Sequence, residues 1–327
     1  MKQAIRIGTR ESQLAVWQAM QVKELLAAQG IPAELVYIKS EGDIDLQTPL
    51  YEMGVQGIFT RSLDIALLSN RIDIAVHSMK DVPTQLPKGI VPAAALKRAS
   101  WKDLLVYKGD LPSLSTDLGI ENGTWLPTEK NASFTRSRLT IATSSIRRKA
   151  QWLHRYPQHQ LENLRGNVNT RMTKVAESTW SGAIFAAAGL ERISLRPENS
   201  IELDWMLPAP AQGAIMVVCR EADKDLLDIC QAFNDEDTAI CTQMERDFLR
   251  ALLGGCSTPI SALAEIKDGQ IHFQGNILSV DGQQIASIDQ VISRAAATGA
   301  GNELAQTLLA NGGQPIANSI QQTAAKV

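Results

Sequence analysis

The chain has 327 residues, 44% hydrophobic and 20% charged, which is the balance of a globular protein with room for two or three domains. A net charge of −3 excludes a global pull toward nucleic acid or anionic membrane, so any basic site must be local. No apolar run reaches the length of a membrane span, and the N-terminus lacks the apolar core of a secretory signal.

The four cysteines, Cys219, Cys230, Cys241 and Cys256, lie in the last third and form no C-x-x-C pair. Neither a zinc site nor a redox motif is signalled, so no metal is expected and a reducing cytoplasm fits best.

Residues 4–8 read as a strand and 9–12 as a turn, with Ser12 as an N-cap. Residues 13–29 read as a helix with Leu14, Trp17, Leu25 and Leu26 for its buried face, ended by Gly30 and Pro32. Residues 33–39 return as a strand, and this β-α-β opening predicts a parallel pair with a right-handed crossover. Residues 41–59 contain Gly42, Pro49, Gly54 and Gly57 and read as a long lid-like loop. After a helix at 60–69, the apolar run 72–76 reads as a buried strand that stops at His77-Ser78-Met79-Lys80. Asp81 follows, and Pro83 bars continuation. Ligands of α/β sheets bind beyond the carboxyl ends of strands, so Lys80 and Asp81 offer a cation and a carboxylate at such an end.

Residues 91–96 form the next expected strand, and 97–100 a crossing into a second domain that begins with a strand at 104–108. Residues 109–138 show no periodicity and read as an inserted loop or hairpin. Three similar junctions follow. The strand at 139–142 leads through Thr143-Ser144-Ser145 into a helix that begins Ile146-Arg147-Arg148. Residues 161–164 lead through Arg165-Gly166-Asn167 into a helix carrying Arg171, and the strand at 182–187 leads into Ala188-Gly189-Leu190-Glu191-Arg192. At a helix start the unpaired N–H groups and the dipole favour an anion, and arginine adds a planar fork suited to carboxylates. Arg10 with Ser12 makes a fourth such junction. A lone arginine of this kind is usually a solvated surface residue. Four in two α/β halves point to an interdomain cleft for a ligand rich in acidic groups. No dinucleotide fingerprint or P-loop is present.

Residues 208–214 form a second crossing, followed by a strand at 215–219. Two crossings imply two hinged, doubly wound α/β domains in the style of type II periplasmic binding proteins. Helices at 225–233 and 237–253, three strands within 260–292 and a helix at 302–310 make a small α+β C-terminal domain. The expected division is 1–98 with 213–231, then 99–212, then 232–327. Cys256 lies in a Gly-Gly-Cys turn, where glycines permit a sharp bend that presents the thiol.

The motifs His77-Ser78-Met79-Lys80-Asp81-Val82-Pro83, Thr143-Ser144-Ser145-Ile146-Arg147-Arg148, Leu164-Arg165-Gly166-Asn167-Val168, Ala188-Gly189-Leu190 and Gly254-Gly255-Cys256 closely resemble the porphobilinogen deaminase family. The resemblance runs in order from Arg10 to Cys256. It implies condensation of four porphobilinogen units with release of ammonia, giving linear hydroxymethylbilane for tetrapyrrole synthesis. It also implies a dipyrromethane cofactor joined by a thioether to Cys256, in an enzyme expected to be a cytoplasmic monomer without nucleic-acid or membrane partners. The resemblance makes Asp81 the catalytic carboxylate. It assigns Lys80, Ser144, Ser145, Arg147, Arg148 and Arg171 to the cofactor, and Arg10, Ser12, Arg165 and Arg192 to substrate.

The chain departs from the family pattern at Gln56, where a lysine is usual, at Arg61-Ser62, and at Gly182, where an acidic residue is usual. A reading from another class is a non-catalytic hinged anion-binding protein, which would need the arginines but neither Asp81 nor Cys256.

Overall fold

A computed structural model describes residues 4–40, 60–127, 138–252 and 258–324. The expected lid at 41–59, with Gln56, and the Gly254-Gly255-Cys256 turn lie outside the described residues, as does 128–137 of the insertion.

The opening unit is β1 (Ile5–Thr9), α1 (Gln13–Ala28) and β2 (Ala33–Tyr37), with β1 and β2 parallel. Ser12 caps α1 by accepting from the Ala15 N–H at 3.4 Å. The buried face of α1 is Ala15, Gln18, Ala19, Val22 and Leu26, rotated from the face expected. Small alanines bring the helix close to the sheet, which leaves Trp17 and Leu25 only partly buried at its flank. Helix α2 (Arg61–Leu68) precedes β3 (Ile74–Ser78), which starts and ends two residues later than expected, so His77 and Ser78 belong to the strand. Then β4 (Ile90–Leu96) leads out of this unit.

The second unit holds β5 (Asp103–Tyr107), α3 (Leu111–Leu118), β6 (Ile120–Glu121), β7 (Thr124–Trp125), β8 (Thr140–Ala142), α4 (Ile146–Arg155), β9 (Gln160–Glu162), α5 (Val168–Glu177), β10 (Gly182–Ala186), α6 (Ala187–Glu191) and β11 (Ser200–Glu202). The 109–138 stretch thus begins with a helix, capped by Asp110 and closed by Gly119, and continues as a β6–β7 hairpin. Neither α3 nor β11 was foreseen, because eight and three residues give too little periodicity. An added Cβ at Gly182 would lie 2.7 Å from the Val106 carbonyl oxygen, so β10 and β5 approach too closely for the acidic residue usual there.

The chain then returns through β12 (Ile215–Arg220) and α7 (Lys224–Gln231). The first sheet has the order β2-β1-β3-β12-β4, and the second β11-β5-β10-β8-β9. In each, parallel strands are joined by antiparallel ones: β12 against β3 and β4, and β5 against β10 and β11. This bears out the mixed α/β class. The remainder is α8 (Glu236–Leu252), a meander of β13 (Ile260–Lys267), β14 (Gln270–Leu278) and β15 (Ile285–Ser293), then α9 (Ala300–Leu308) and α10 (Gln314–Ala324). The last helix was not foreseen. Helices and meander share one core around Phe248 and Phe273, separate from those of the two larger sheets. Among the described residues no helix is long and apolar enough to cross a membrane.

The two crossings run side by side. The Ala99 N–H donates to the Gly213 carbonyl at 3.1 Å. Gly213 has φ +89, and an added Cβ there would meet the Ala99 and Ser100 carbonyl oxygens at 2.7 Å. Only glycine fits such a position. Glu245 of α8, fully buried, fastens the crossings to the C-terminal unit. It accepts from Arg98 Nη1 at 2.6 Å and Nη2 at 3.1 Å, from the Ala211 N–H at 2.6 Å and from the Ala264 N–H at 2.7 Å. A buried carboxylate with four donors is well satisfied, whereas a buried arginine stripped of its partner is not. Glu245→Leu is therefore expected to cost about 3–5 kcal/mol of stability, measured by chemical denaturation.

Candidate active site

β3 runs directly into a 3₁₀ turn over Met79–Asp81, so Lys80 and Asp81 do lie just past the carboxyl end of a strand. The Met79 N–H donates to the Ala214 carbonyl at 3.0 Å and the Val82 N–H to Met79 at 3.1 Å, which holds the turn in shape. Arg246 of α8, itself buried, grips the same turn: it donates to the Val82 carbonyl at 2.9 Å and to that of Pro83 at 2.7 Å. Gln18 of α1 bonds the Ser78 hydroxyl at 2.8 Å, one residue before the turn.

On the side of the second sheet, Ser145 caps α4 by accepting from the Arg148 N–H at 3.4 Å, and Ser144 Oγ accepts from the Leu164 N–H at 2.8 Å. Both hydroxyls retain a hydrogen to donate. Capping sets Arg147 and Arg148 on the first turn of α4, where both are buried. Their shared partner is Asp103, the first residue of β5, fully buried and not singled out from the sequence. Arg147 Nη2 meets its Oδ2 at 2.7 Å, and Arg148 reaches its Oδ1 through Nη2 at 2.7 Å and Nε at 3.2 Å. Arg147 Nη1 also donates to the Leu207 carbonyl at 2.6 Å, and Arg148 Nη1 to that of Ile184 at 2.9 Å. Burial alone would raise the Asp103 carboxyl; Arg147 and Arg148 outweigh it and hold the group well below the usual carboxylate range.

Lys80 faces this cluster. Burial pushes its ammonium down to about 8, aided by Arg148 and Arg147 and opposed by Asp81 and Asp103. Its Nζ donates to Gln212 Oε1 at 3.3 Å. Asn167 caps α5, and Arg171 Nε donates to the Gly166 carbonyl at 2.7 Å. Burial pushes Arg171 down to about 10, still charged at neutral pH; Arg148, Asp81, Arg165 and Arg10 also act on it. Residues from both sheets therefore share one electrostatic neighbourhood: Arg10, Lys80 and Asp81 from the first, Arg147, Arg148, Arg165 and Arg171 from the second.

Two of the expected residues are engaged by partners of their own. Ser12 is occupied as the cap of α1. Arg192 donates to the Gly213 carbonyl at 2.6 Å and stacks over Trp17 with 5.6 Å to the ring centroid, between α1 and the crossing. Cys256 lies outside the described residues.

Within this neighbourhood the cations Arg10, Lys80, Arg147, Arg148, Arg165 and Arg171 outnumber the carboxylates Asp81 and Asp103. Arg147 Nε is buried with no partner among the described residues. An excess of guanidinium donors, Arg147 Nε among those left over, suits a ligand bearing several carboxylates. Among the described residues no cluster fit for a metal ion occurs.

Two buried histidines give a pH test. Burial, helped by Arg10, pushes His77 down to about 3, and burial pushes His159 down to about 4 against the pull of Asp117. Trp152 Nε1 donates to His159 Nδ1 at 3.2 Å, so the ring proton sits on Nε2. The unfolded chain binds these protons first, near pH ~6.5, so the stability they confer is complete above that value and falls as pH drops toward 4. Denaturation midpoints between pH 7 and 5 are expected to show a decline of up to about 1.4 kcal/mol per pH unit for each histidine. His159→Gln should flatten the slope.

Comparison with known proteins matches the chain along nearly its whole length. The family model described as porphobilinogen deaminase, dipyromethane cofactor binding domain, matches residues 5–228, and that of the porphobilinogen deaminase C-terminal domain matches 239–310. A porphobilinogen deaminase of Syntrophomonas wolfei is 39% identical over 95% of this chain and 97% of its own. That of Moorella thermoacetica is 38% identical over 98% of each chain, and the chloroplastic enzyme of Oryza sativa is 38% identical over 86% of this chain and 76% of its own. Among solved structures, the periplasmic VFT2 domain of Bordetella pertussis BvgS is 12% identical over 72% of this chain and 89% of its own, with a TM-score of 0.38, too low to carry an inference. With both family models matched in order and relatives alike along nearly the whole length, the chain belongs to the porphobilinogen deaminase family.

Proposed function

We propose that this chain is a hydroxymethylbilane synthase that joins four porphobilinogen units head to tail, releasing ammonia at each step. The observation that carries the reading is the Asp81 carboxylate on a shaped turn, in one electrostatic neighbourhood with Lys80 and arginines from both sheets. Each porphobilinogen ring bears two carboxylates, so the growing chain is a polyanion that this cationic lining would hold. Loss of ammonia leaves an electron-poor carbon conjugated to the pyrrole nitrogen. A fixed carboxylate at Asp81 stabilises the positive charge shared with that nitrogen and can pass a proton as ammonia departs. A non-catalytic anion binder would need the arginines alone, so Asp81, Cys256 and family membership all favour the enzyme.

The dipyrromethane group fits the donors present. When bound, it supplies the pyrrole end that the first incoming unit joins. In this reading it hangs by a thioether from Cys256. Lys80, Ser144, Ser145, Arg147, Arg148 and Arg171 hold its carboxylates, and Arg10, Ser12, Arg165 and Arg192 serve substrate and the lengthening product. Asp103 holds the arginine forks of α4 in place. The division into 1–98 with 213–231, 99–212 and 232–327 belongs to the same reading, with Cys256 in the C-terminal unit. The chain is read as a cytoplasmic monomer, in keeping with the free thiols of Cys219, Cys230 and Cys241.

Two measurements test these roles. Intact mass of the purified protein should exceed the sequence mass by two linked pyrrole units, and Cys256→Ser should remove the excess; an adduct retained in that variant overturns the attachment. Asp81→Asn keeps size and most hydrogen bonds, and in cofactor-loaded protein it is expected to slow turnover by about a hundredfold or more. Turnover near that of the parent protein would remove Asp81 from the chemistry.

A further inference from the structure

Gln212 lies on the second crossing, fully buried, and its side chain is spent in both directions. Its Oε1 accepts from Lys80 Nζ at 3.3 Å, on the first domain. Its Nε2 donates to Asp103 Oδ1 at 2.9 Å and to the Trp101 carbonyl at 2.7 Å, at the start of the second domain. Its own carbonyl accepts from Arg98 Nε at 2.8 Å, the same guanidinium that Glu245 holds. The amide orientation follows from the partners, since an ammonium only donates while a carboxylate and a carbonyl only accept.

We propose that Gln212 is a positioning residue that sets the Lys80 ammonium against the Asp103–Arg147–Arg148 cluster and so fixes the anion site across the two domains. Of the ordinary side chains of this length, only the amide matches both ends. Glutamate keeps the acceptor for Lys80 but loses the donor for Asp103, and methionine loses both. The inference rests on the proposed place of Lys80 in the cofactor site. The charges facing Lys80 are Asp81 beside it on the turn, Asp103 on β5, and Arg147 and Arg148 on α4. Gln212 is the neutral group among them, and its dipole turns a negative end to the ammonium and a positive end to the carboxylate.

The test is the titration midpoint of Lys80, read from the pH dependence of its labelling by acetic anhydride and peptide mass spectrometry. It uses the full-length protein as isolated, and thermal melts of each variant establish folding. The midpoint of the parent protein is the reference for both variants. Gln212→Glu places a negative charge against the ammonium and is expected to raise the midpoint by about one unit. Gln212→Met removes the acceptor from a desolvated ammonium and is expected to lower it. Shifts of opposite sign support the proposal, since a merely structural role would not reverse direction with the charge of the replacement. Midpoints equal to that of the parent, or moved the same way in both variants, overturn it. Where one variant fails to fold, the sign of the other's shift decides. Lys80→Gln tests the underlying reading separately: cofactor content and turnover like the parent's would remove Lys80 from the site whatever the Gln212 variants show.

Discussion

Asp103 is a carboxylate with no access to water, and such a group is tolerated only where opposite charge and hydrogen bonds replace its hydration. Arg147, Arg148 and Gln212 supply them. This one requirement links several elements: the first residue of β5, the first turn of α4 and the second crossing must all converge on the same oxygens. Two guanidiniums against one carboxylate leave a net positive charge, which water or an anionic ligand must complete. In the proposed function the arrangement serves stability and ligand binding together.

The C-terminal unit repeats this logic at the crossings. Adjacent residues of α8 point to different places: Glu245 binds both crossings, and Arg246 caps the carbonyls behind the Lys80–Asp81 turn. A helix outside the two larger sheets thus shapes the backbone on which the proposed catalytic carboxylate sits. Further contacts tie the second unit to the third: Gln151 to Ser261 at 3.0 Å, Trp101 to Glu265 at 3.0 Å and His154 to the Gly282 carbonyl at 2.7 Å. Movement of the third unit away from the crossings would break the largely buried Arg98–Glu245 ion pair in a region of low dielectric.

Strong local signals account for what could be read ahead of the structure. Strand ends followed by a short polar turn and a helix start bearing arginine gave the Arg147–Arg148 and Arg171 junctions, and the structure adds the Ser145 and Asn167 caps, each a local hydrogen bond written into four adjacent residues. The Lys80–Asp81 turn was legible for the same reason, since Pro83 and the end of an apolar run mark it. The boundaries of β3 and the buried face of α1 moved because packing against neighbours, not local pattern, decides which of several apolar residues is innermost.

By itself the sequence determined the α/β class, the two crossings, the motifs that mark the family and most of the cations of the proposed site, all of them properties of short contiguous stretches. The tertiary structure alone decided which of those cations already have a partner. Asp103 is separated from Arg147 by 44 residues and from Gln212 by 109, and Arg246 from Val82 by 164. A single aspartate before an apolar run, or a single glutamine beside a glycine, carries no signal in one sequence. Its meaning arises only when folding removes it from water and obliges it to find donors and acceptors that are distant in the chain.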